Sequence, residues 1–287
     1  MPVRIIADSV SYLPASMIEG LPIEVVSLYV VTDGDSVRET EIDDRAFYDR
    51  LASSPTLPTS SQPAVAELVT AFSTAVTAGN DVVGVFMSSD MSGTVQAAHL
   101  ARDLVIQELP QARIEIVDSR SNCMEEGFCA LAAARAAQAG ADLAEVVEAA
   151  RAMTEHSRFV FVPKDLENLR KGGRIGRASA LVGSLLQIVP ILTVSQGVTT
   201  TVAKARTRSK ALSQLVSMLA ADAHSKGLVE LVVQHIDDPQ TGSSLAEMAA
   251  EVAGHPVAVL PIGPVVGLHV GRGSVGIVYV TRELMLK

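Results

Sequence analysis

Between residues 4 and 140 the chain alternates short, almost wholly apolar runs with longer runs of helical period. RIIADS (4–9), IEVVSLYVV (23–31), DVVGVFM (81–87) and RIEIVDS (113–119) read as strands. DDRAFYDRLAS (43–53), PAVAELVTAFSTAV (63–76), TVQAAHLARDLVIQEL (94–109) and MEEGFCALAAARAAQAG (124–140) read as helices. Pro63 suits a first helical turn, and Gly79 and Gly140 suit C-terminal stops. Strands apolar on both faces need cover on both faces. This alternation therefore predicts a parallel sheet between two layers of helices.

The second half has a different rhythm. DLAEVVEAARAMTEHS (142–157) reads as a connecting helix. RFVFVP (158–163), PILTVSQGVTTTVAKA (190–205), LVELVVQHID (228–237) and VGIVYVT (275–281) read as strands. Gln196-Gly197, near the middle of the second of these, marks a hairpin turn. Helices over 208–227 and 243–254 separate the later strands. The expected fold class is α/β in two domains. An N-terminal α/β/α domain with a parallel sheet spans 1–150, and a C-terminal α/β domain with a mixed sheet spans 151–287.

Bulk properties remove several functions. The 287 residues carry a net charge of −9, which disfavours a nucleic-acid partner because phosphate contacts need a basic face. No apolar run reaches the ~18 residues of a membrane span, and MPVRIIADS is too short in apolar residues for a secretion signal. Cys123 and Cys129 read as reduced, buried thiols of a cytoplasmic protein. The six histidines are scattered with no HxH or HxxxH pair, so no metal site is expected. With no Trp, the core must be built mostly from aliphatic residues and Met.

The polar residues at the strand ends carry the functional signal. Asp8-Ser9 ends the first strand, Ser88-Ser89 the third and Asp118-Ser119 the fourth. Ser92 and Thr94 lie just beyond the third, and PTSSQP (58–63) precedes a helix. Any one of these residues is explained by helix capping. A cap needs one residue, however, whereas these clusters supply several, all at the edge where open parallel sheets bind ligands. Hydroxyls beside helix N-termini suit a carboxylate or a phosphate. GRGSVG (271–276) matches GxGxxG but precedes a strand, so it is not read as a dinucleotide site. GxxxxGK[ST] and GxSxG are both absent.

ADSVSYLP (7–14), PTSSQP (58–63), MSGTVQAA (91–98), IVDSRS (116–121), LENLRKGGRIGRA (166–178), LLQIVPIL (185–192) and GPVVGLHVGRGSVG (263–276), in that order, resemble the DegV family over essentially the whole chain. The resemblance implies a two-domain protein that binds a long-chain fatty acid. It also implies a partner, an ATP-dependent fatty acid kinase subunit that phosphorylates the bound carboxylate for phospholipid synthesis. On this reading the chain has no catalytic residue and no cofactor of its own. A peripheral membrane contact for lipid exchange is compatible with it.

Carried over by position, the family's carboxylate-holding residues fall on Ser60 (where the family usually has threonine), Ser92 and His269, with Ser61 beside Ser60 in the same motif. Thr59, Gly93, Asp118 and Ser119 are further candidates along the ligand edge. Arg170, Lys171 and Arg174 lie in a glycine-containing basic loop that the resemblance assigns to docking the kinase. Two positions depart from the family pattern: Val189 stands where lysine is usual, and Arg272 where proline is common. His269 is expected in a glycine-dense loop.

The chemistry suits these residues. An ionised carboxylate only accepts hydrogen bonds, and neutral donors can satisfy it while leaving its oxygens free to attack a phosphoryl group. An acyl chain needs an aliphatic wall, for which ALVGSLLQIVPIL (180–192) and FVFV (159–162) are candidates. Two other readings use the same hydroxyl edge: an enzyme acting alone on a small carboxylated or phosphorylated metabolite, and a lipid sensor with no kinase partner.

Overall fold

A computed structural model describes residues 1–32, 34–51, 58–181 and 188–285. In chain order the strands are β1 (Val3–Asp8), β2 (Ile23–Val26), β3 (Tyr29–Thr32), β4 (Asp35–Arg38), β5 (Thr59–Ser61), β6 (Asp81–Phe86), β7 (Ile114–Asp118), β8 (Ser157–Val162), β9 (Val189–Ser195), β10 (Val198–Ala205), β11 (Leu228–His235), β12 (Ala258–Pro261) and β13 (Val275–Thr281). The helices are α1 (Ala15–Ile18), α2 (Asp44–Leu51), α3 (Val65–Thr77), α4 (Thr94–Glu108), α5 (Cys123–Gln138), α6 (Leu143–His156), α7 (Glu167–Lys171), α8 (Arg208–Lys226), α9 (Pro239–Ala253) and α10 (Pro264–Val270).

The first sheet has the order β2-β1-β6-β7 and is parallel throughout, with Ala7 level with Val25 on one side and Val85 on the other. Its two faces carry separate cores. Ile6, Val82, Phe86 and Ile114 pack under Leu68 and Phe72 of α3 and Val95 and Ala98 of α4. Ile5, Val83, Val85 and Val117 pack under Ala130 and Ala134 of α5 and Val146 of α6. This is the alternation of strand and helix that the apolar pattern predicts.

The second sheet is mixed, in the order β10-β9-β8-β13-β11-β12. Every neighbouring pair is antiparallel except β11 with β12. Gln196 (φ 52°) and Gly197 (φ 83°) form the two-residue turn between β9 and β10. Positive φ at both positions matches the twist of the strands they join. One face of this sheet lies under α8 and α9, through Val160, Val162, Val233 and Ile277. The other face sends Phe159, Phe161, Val194 and Val278 toward the N-terminal half, where Val10, Leu28, Met87, Met124 and Phe128 meet them.

Three expectations are corrected. The run 23–31 is not one strand: it breaks after Val26, and Tyr29–Thr32 joins a third, antiparallel sheet of order β4-β3-β5. Ser27 Oγ bonds the Leu28 carbonyl at this break, where the chain leaves the parallel sheet. The helix read from Pro63 starts instead at Val65, with Ala64 as its cap, and residues 59–61 of PTSSQP form an edge strand, with Ser60 level with Val30. His269 sits on the last turn of α10 and not in a loop. The helix expected over 43–53 is observed as Asp44–Leu51, and Ala52 and Ser53 lie outside the described residues.

Candidate functional site

The face of the second sheet that looks toward the N-terminal half is not filled solid. Between it and the carboxyl edge of the first sheet lies a pocket whose space between atoms, mouth included, amounts to about 890 Å³. Its walls are Leu28, Met87, Met91, Phe159, Phe161, Leu169, Val194, Ile236, Ile262, Val265 and Val266. Phe159 and Phe161 alternate with Val160 and Val162 along β8, so the two rings share the pocket side of the sheet and stack at 4.9 Å. Gly276 of β13 makes room for them, because a Cβ there would come within 2.6–2.7 Å of Phe161 Cβ and Phe159 Cε2.

The polar lining of this pocket brings together Ser60, Ser61, Gln62, Ser92, Gly93, Arg174 and His269. Ser60 Oγ lies 2.8 Å from His269 Nε2. Ser92 occupies the turn between β6 and α4, where its N–H donates to the Ser88 carbonyl and its Oγ lies 2.9 Å from Thr94 Oγ1. Gly93 follows because a Cβ there would come within 2.7 Å of Gln62 Oε1. The imidazole of His269 is pushed down to about 4, chiefly by burial and secondly by the Arg174 guanidinium. At neutral pH the ring is therefore uncharged, with one N–H to give. The site offers hydroxyls, an imidazole and one guanidinium, and the described residues lining it include no carboxylate.

The remaining candidates separate. Thr59 is exposed on β5, away from the pocket lining. Asp118 bonds the hydroxyl of Ser89 (2.6 Å), and its side chain also pairs with Arg120. Arg120 reaches across to the Gln196 carbonyl at 2.6 Å, clamping the β9–β10 turn to the first sheet. Ser119 is buried and bonds the Ser121 carbonyl. Asp118 and Arg120 tie the two sheets together at the ligand edge, and neither they nor Thr59 and Ser119 line the pocket.

The basic segment is split as well. Arg170 and Lys171 lie on α7, about half exposed and paired with Glu167, so the expected loop is helical at these two positions. Arg174, though exposed, lines the pocket and donates from Nε to the Met91 carbonyl at 3.2 Å. Val189 packs at the edge of the core under α8, away from the pocket. Arg272 pairs with Asp49 and Asp237, fixing the turn that follows α10.

Sequence reasoning missed Gln62 and Asn122 in the lining, and it named FVFV as wall without separating its two faces. The period-2 alternation of Phe with Val was the available signal. The other wall candidate, 180–192, is partly outside the described residues (182–187), and none of its described residues lines the pocket.

The model of the family described as "Uncharacterised protein, DegV family" matches residues 2–282. A DegV domain-containing protein of Clostridium acetobutylicum is 43% identical over 285 residues, covering 99% of this chain and 100% of that protein. Two solved structures are similar over nearly the whole length. A Thermus thermophilus DegV family protein, described for its fatty acid binding, has a TM-score of 0.89 at 28% identity and covers 98% of this chain and 100% of its own. Bacillus subtilis DegV, described as a fatty acid binding protein, has a TM-score of 0.86 at 31% identity and covers 98% and 99%. The chain belongs to the DegV family.

Proposed function

We propose that this protein binds a long-chain fatty acid, its carboxylate held by Ser60, Ser61, Ser92 and His269, and presents it to a separate ATP-dependent kinase subunit for acyl phosphate formation. The observation that carries the reading is the Ser60–His269 pair in a pocket whose walls are mostly apolar. The binding descriptions of the Thermus and Bacillus structures support it.

The energetics divide between tail and head. Each buried CH₂ contributes about 0.8 kcal/mol, so a 16-carbon chain gives on the order of 12 kcal/mol before ordering and desolvation take back a share. The head cannot be buried unpaired. Ser60 and Ser92 hydroxyls and the neutral His269 N–H supply donors without closing a bidentate cationic clamp over both oxygens. An oxygen of the acid then keeps a lone pair for attack on a phosphoryl group. Arg174, at the same end, supplies positive potential near the charge. Arg170 and Lys171, exposed on α7, offer a cationic face to the partner.

Titration with cis-parinarate, a fluorescent long-chain acid, tests the reading against the small-metabolite alternative. Tight binding displaced by long-chain acids and not by acetate or phosphate is expected. Displacement by the small anions alone would overturn it.

A further inference from the structure

α10, the seven-residue helix that carries His269, is held at its start by a buried acid from a distant part of the chain. Glu39 follows β4 and is 5% exposed. Its Oε1 accepts the Val265 N–H at 2.8 Å and the Tyr12 hydroxyl at 2.8 Å, and its Oε2 accepts the Ser9 hydroxyl at 2.6 Å. Tyr12 Oη in turn accepts the Val266 N–H at 3.1 Å, so two of the orphan amides of the first helical turn are satisfied from this one network. Tyr48 Oη donates to the Gly263 carbonyl at 3.1 Å.

The glycines of GPVVG make this approach feasible. A Cβ on Gly263 would come within 3.0 Å of both Tyr12 Cε1 and Glu39 Oε1, and one on Gly267 would overlap the Tyr48 hydroxyl. Val265 and Val266 line the pocket, and so does His269 at the far end of the same short helix. At the ring itself, Nε2 meets Ser60 Oγ, while among the described residues Nδ1 has no hydrogen-bond partner.

We propose that Glu39 is the positioning residue for His269, its carboxylate capping α10 and so fixing the ring at the pocket mouth, with protonation of Glu39 loosening that hold. The role rests on the reading of His269 as a headgroup ligand, but the capping geometry does not. Its surroundings explain why this acid can change charge near neutrality. Burial raises Glu39 to about 7, the hydrogen bonds from Ser9, Val265 and Tyr12 pull it back, and Asp8 on β1 pushes it up again. The other titratable groups facing it are Tyr12, Tyr48 on α2, and Cys123 and Glu126 on α5; all are neutral or anionic, and among the described residues no cation pairs with Glu39. An ionised carboxylate accepts all three bonds at full strength, and a protonated one gives up part of that capacity. His269 itself titrates far lower, so a change at the ring between pH 6 and 8 reports a neighbour and not the ring's own proton.

The test follows the His269 ring by NMR with the protein free of lipid, beside cis-parinarate affinity across the same pH range. The wild type is expected to show a step in the His269 ¹³Cε1 shift with its midpoint near pH 7. That step should vanish in Glu39→Gln. It should move to higher pH in Tyr12→Phe, which removes a bond favouring the ionised form and serves where Glu39→Gln fails to fold. Affinity should be several-fold weaker at pH 6 than at pH 8, a difference that shrinks in Glu39→Gln. Asp8, raised to about 6, is separated by Asp8→Asn, which should keep the step but move it to lower pH, because a charge that raises Glu39 is removed. A flat His269 signal in the wild type, or a step that Glu39→Gln and Tyr12→Phe leave unmoved, overturns the assignment. A step that behaves as described in a protein that binds no long-chain acid keeps the assignment and overturns the lipid reading instead.

Discussion

Ser60 and His269 stand 209 positions apart in the chain, yet Oγ and Nε2 are 2.8 Å apart. One comes from an edge strand of the small antiparallel sheet, the other from a helix that precedes the central strand β13. They are adjacent because both elements close the same end of one apolar pocket. With a carboxylate present each would have a donor to turn toward it.

This pairing predicts non-additivity. A hydrogen bond to a charged group contributes about 1.5–3 kcal/mol, so Ser60→Ala and His269→Ala should each weaken fatty-acid binding roughly 10- to 150-fold. The double variant should lose less than the sum, because the two side chains share a partner. Isothermal titration of the four proteins with a single long-chain acid reads this directly. Full additivity would mean that the two residues do not act on one group.

Gly172 offers a cleaner perturbation. Its φ of −75° suits alanine, but an added Cβ would overlap His269 Nδ1 and lie 3.2 Å from the Asn168 carbonyl. Gly172→Ala should therefore displace the ring with little change in melting temperature, and should lower lipid affinity by about tenfold, the order of one lost charged hydrogen bond. Paired thermal melts and binding curves check this; unchanged affinity would place the ring outside the binding determinant.

His269 also makes stability depend on pH. Its pKa falls from 6.5 to about 4 on folding, so the folded state binds fewer protons between those values. The contribution is present in full above pH 6.5 and is lost as pH falls toward 4. Asp8 and Glu39, raised to about 6 and about 7, act in the opposite sense, losing stability as pH rises from the ordinary carboxylate range through those values. Melting curves of the lipid-free protein from pH 4 to 6.5 should fall toward acid more gently in His269→Gln than in the wild type.

Arg170 tests the kinase half of the account. It is half exposed and contacts Glu167 on its own helix, away from the pocket. Arg170→Glu should leave lipid affinity within about twofold, as expected of a surface substitution. With a kinase subunit and ATP it should sharply reduce acyl phosphate formation. Equal loss of both would place Arg170 in lipid binding.

The parallel sheet was legible because strands buried on both faces must be apolar throughout, as DVVGVF is in β6. The β9–β10 turn was legible because Gly197 accepts a positive φ between two apolar runs; Gln196 follows it into the left-handed region at φ 52°. The third sheet was not legible. β4 is exposed at every position and β5 has only three residues, so neither carries an apolar period, and their pairing with β3 is a long-range event. α10 was read as a loop because Gly263, Gly267 and Gly271 lower local helix propensity. The network of Glu39, Tyr12 and Tyr48 that offsets this comes from residues more than 200 positions away. Asp118 and Ser119 looked like Ser60 and Ser92 in sequence. Only the structure separates hydroxyls that line a pocket from an acid that joins a clamp between two sheets and a serine that closes its own turn.

The central claim is that the pocket ending at Ser60, Ser92 and His269 holds a long acyl chain. Denaturing the purified protein, extracting it with organic solvent and analysing the extract by mass spectrometry tests that claim most directly. A long-chain fatty acid near one equivalent per chain, much reduced in His269→Ala, is the predicted result. An extract without fatty acid, from a protein that also fails to take one up when it is supplied, would contradict it.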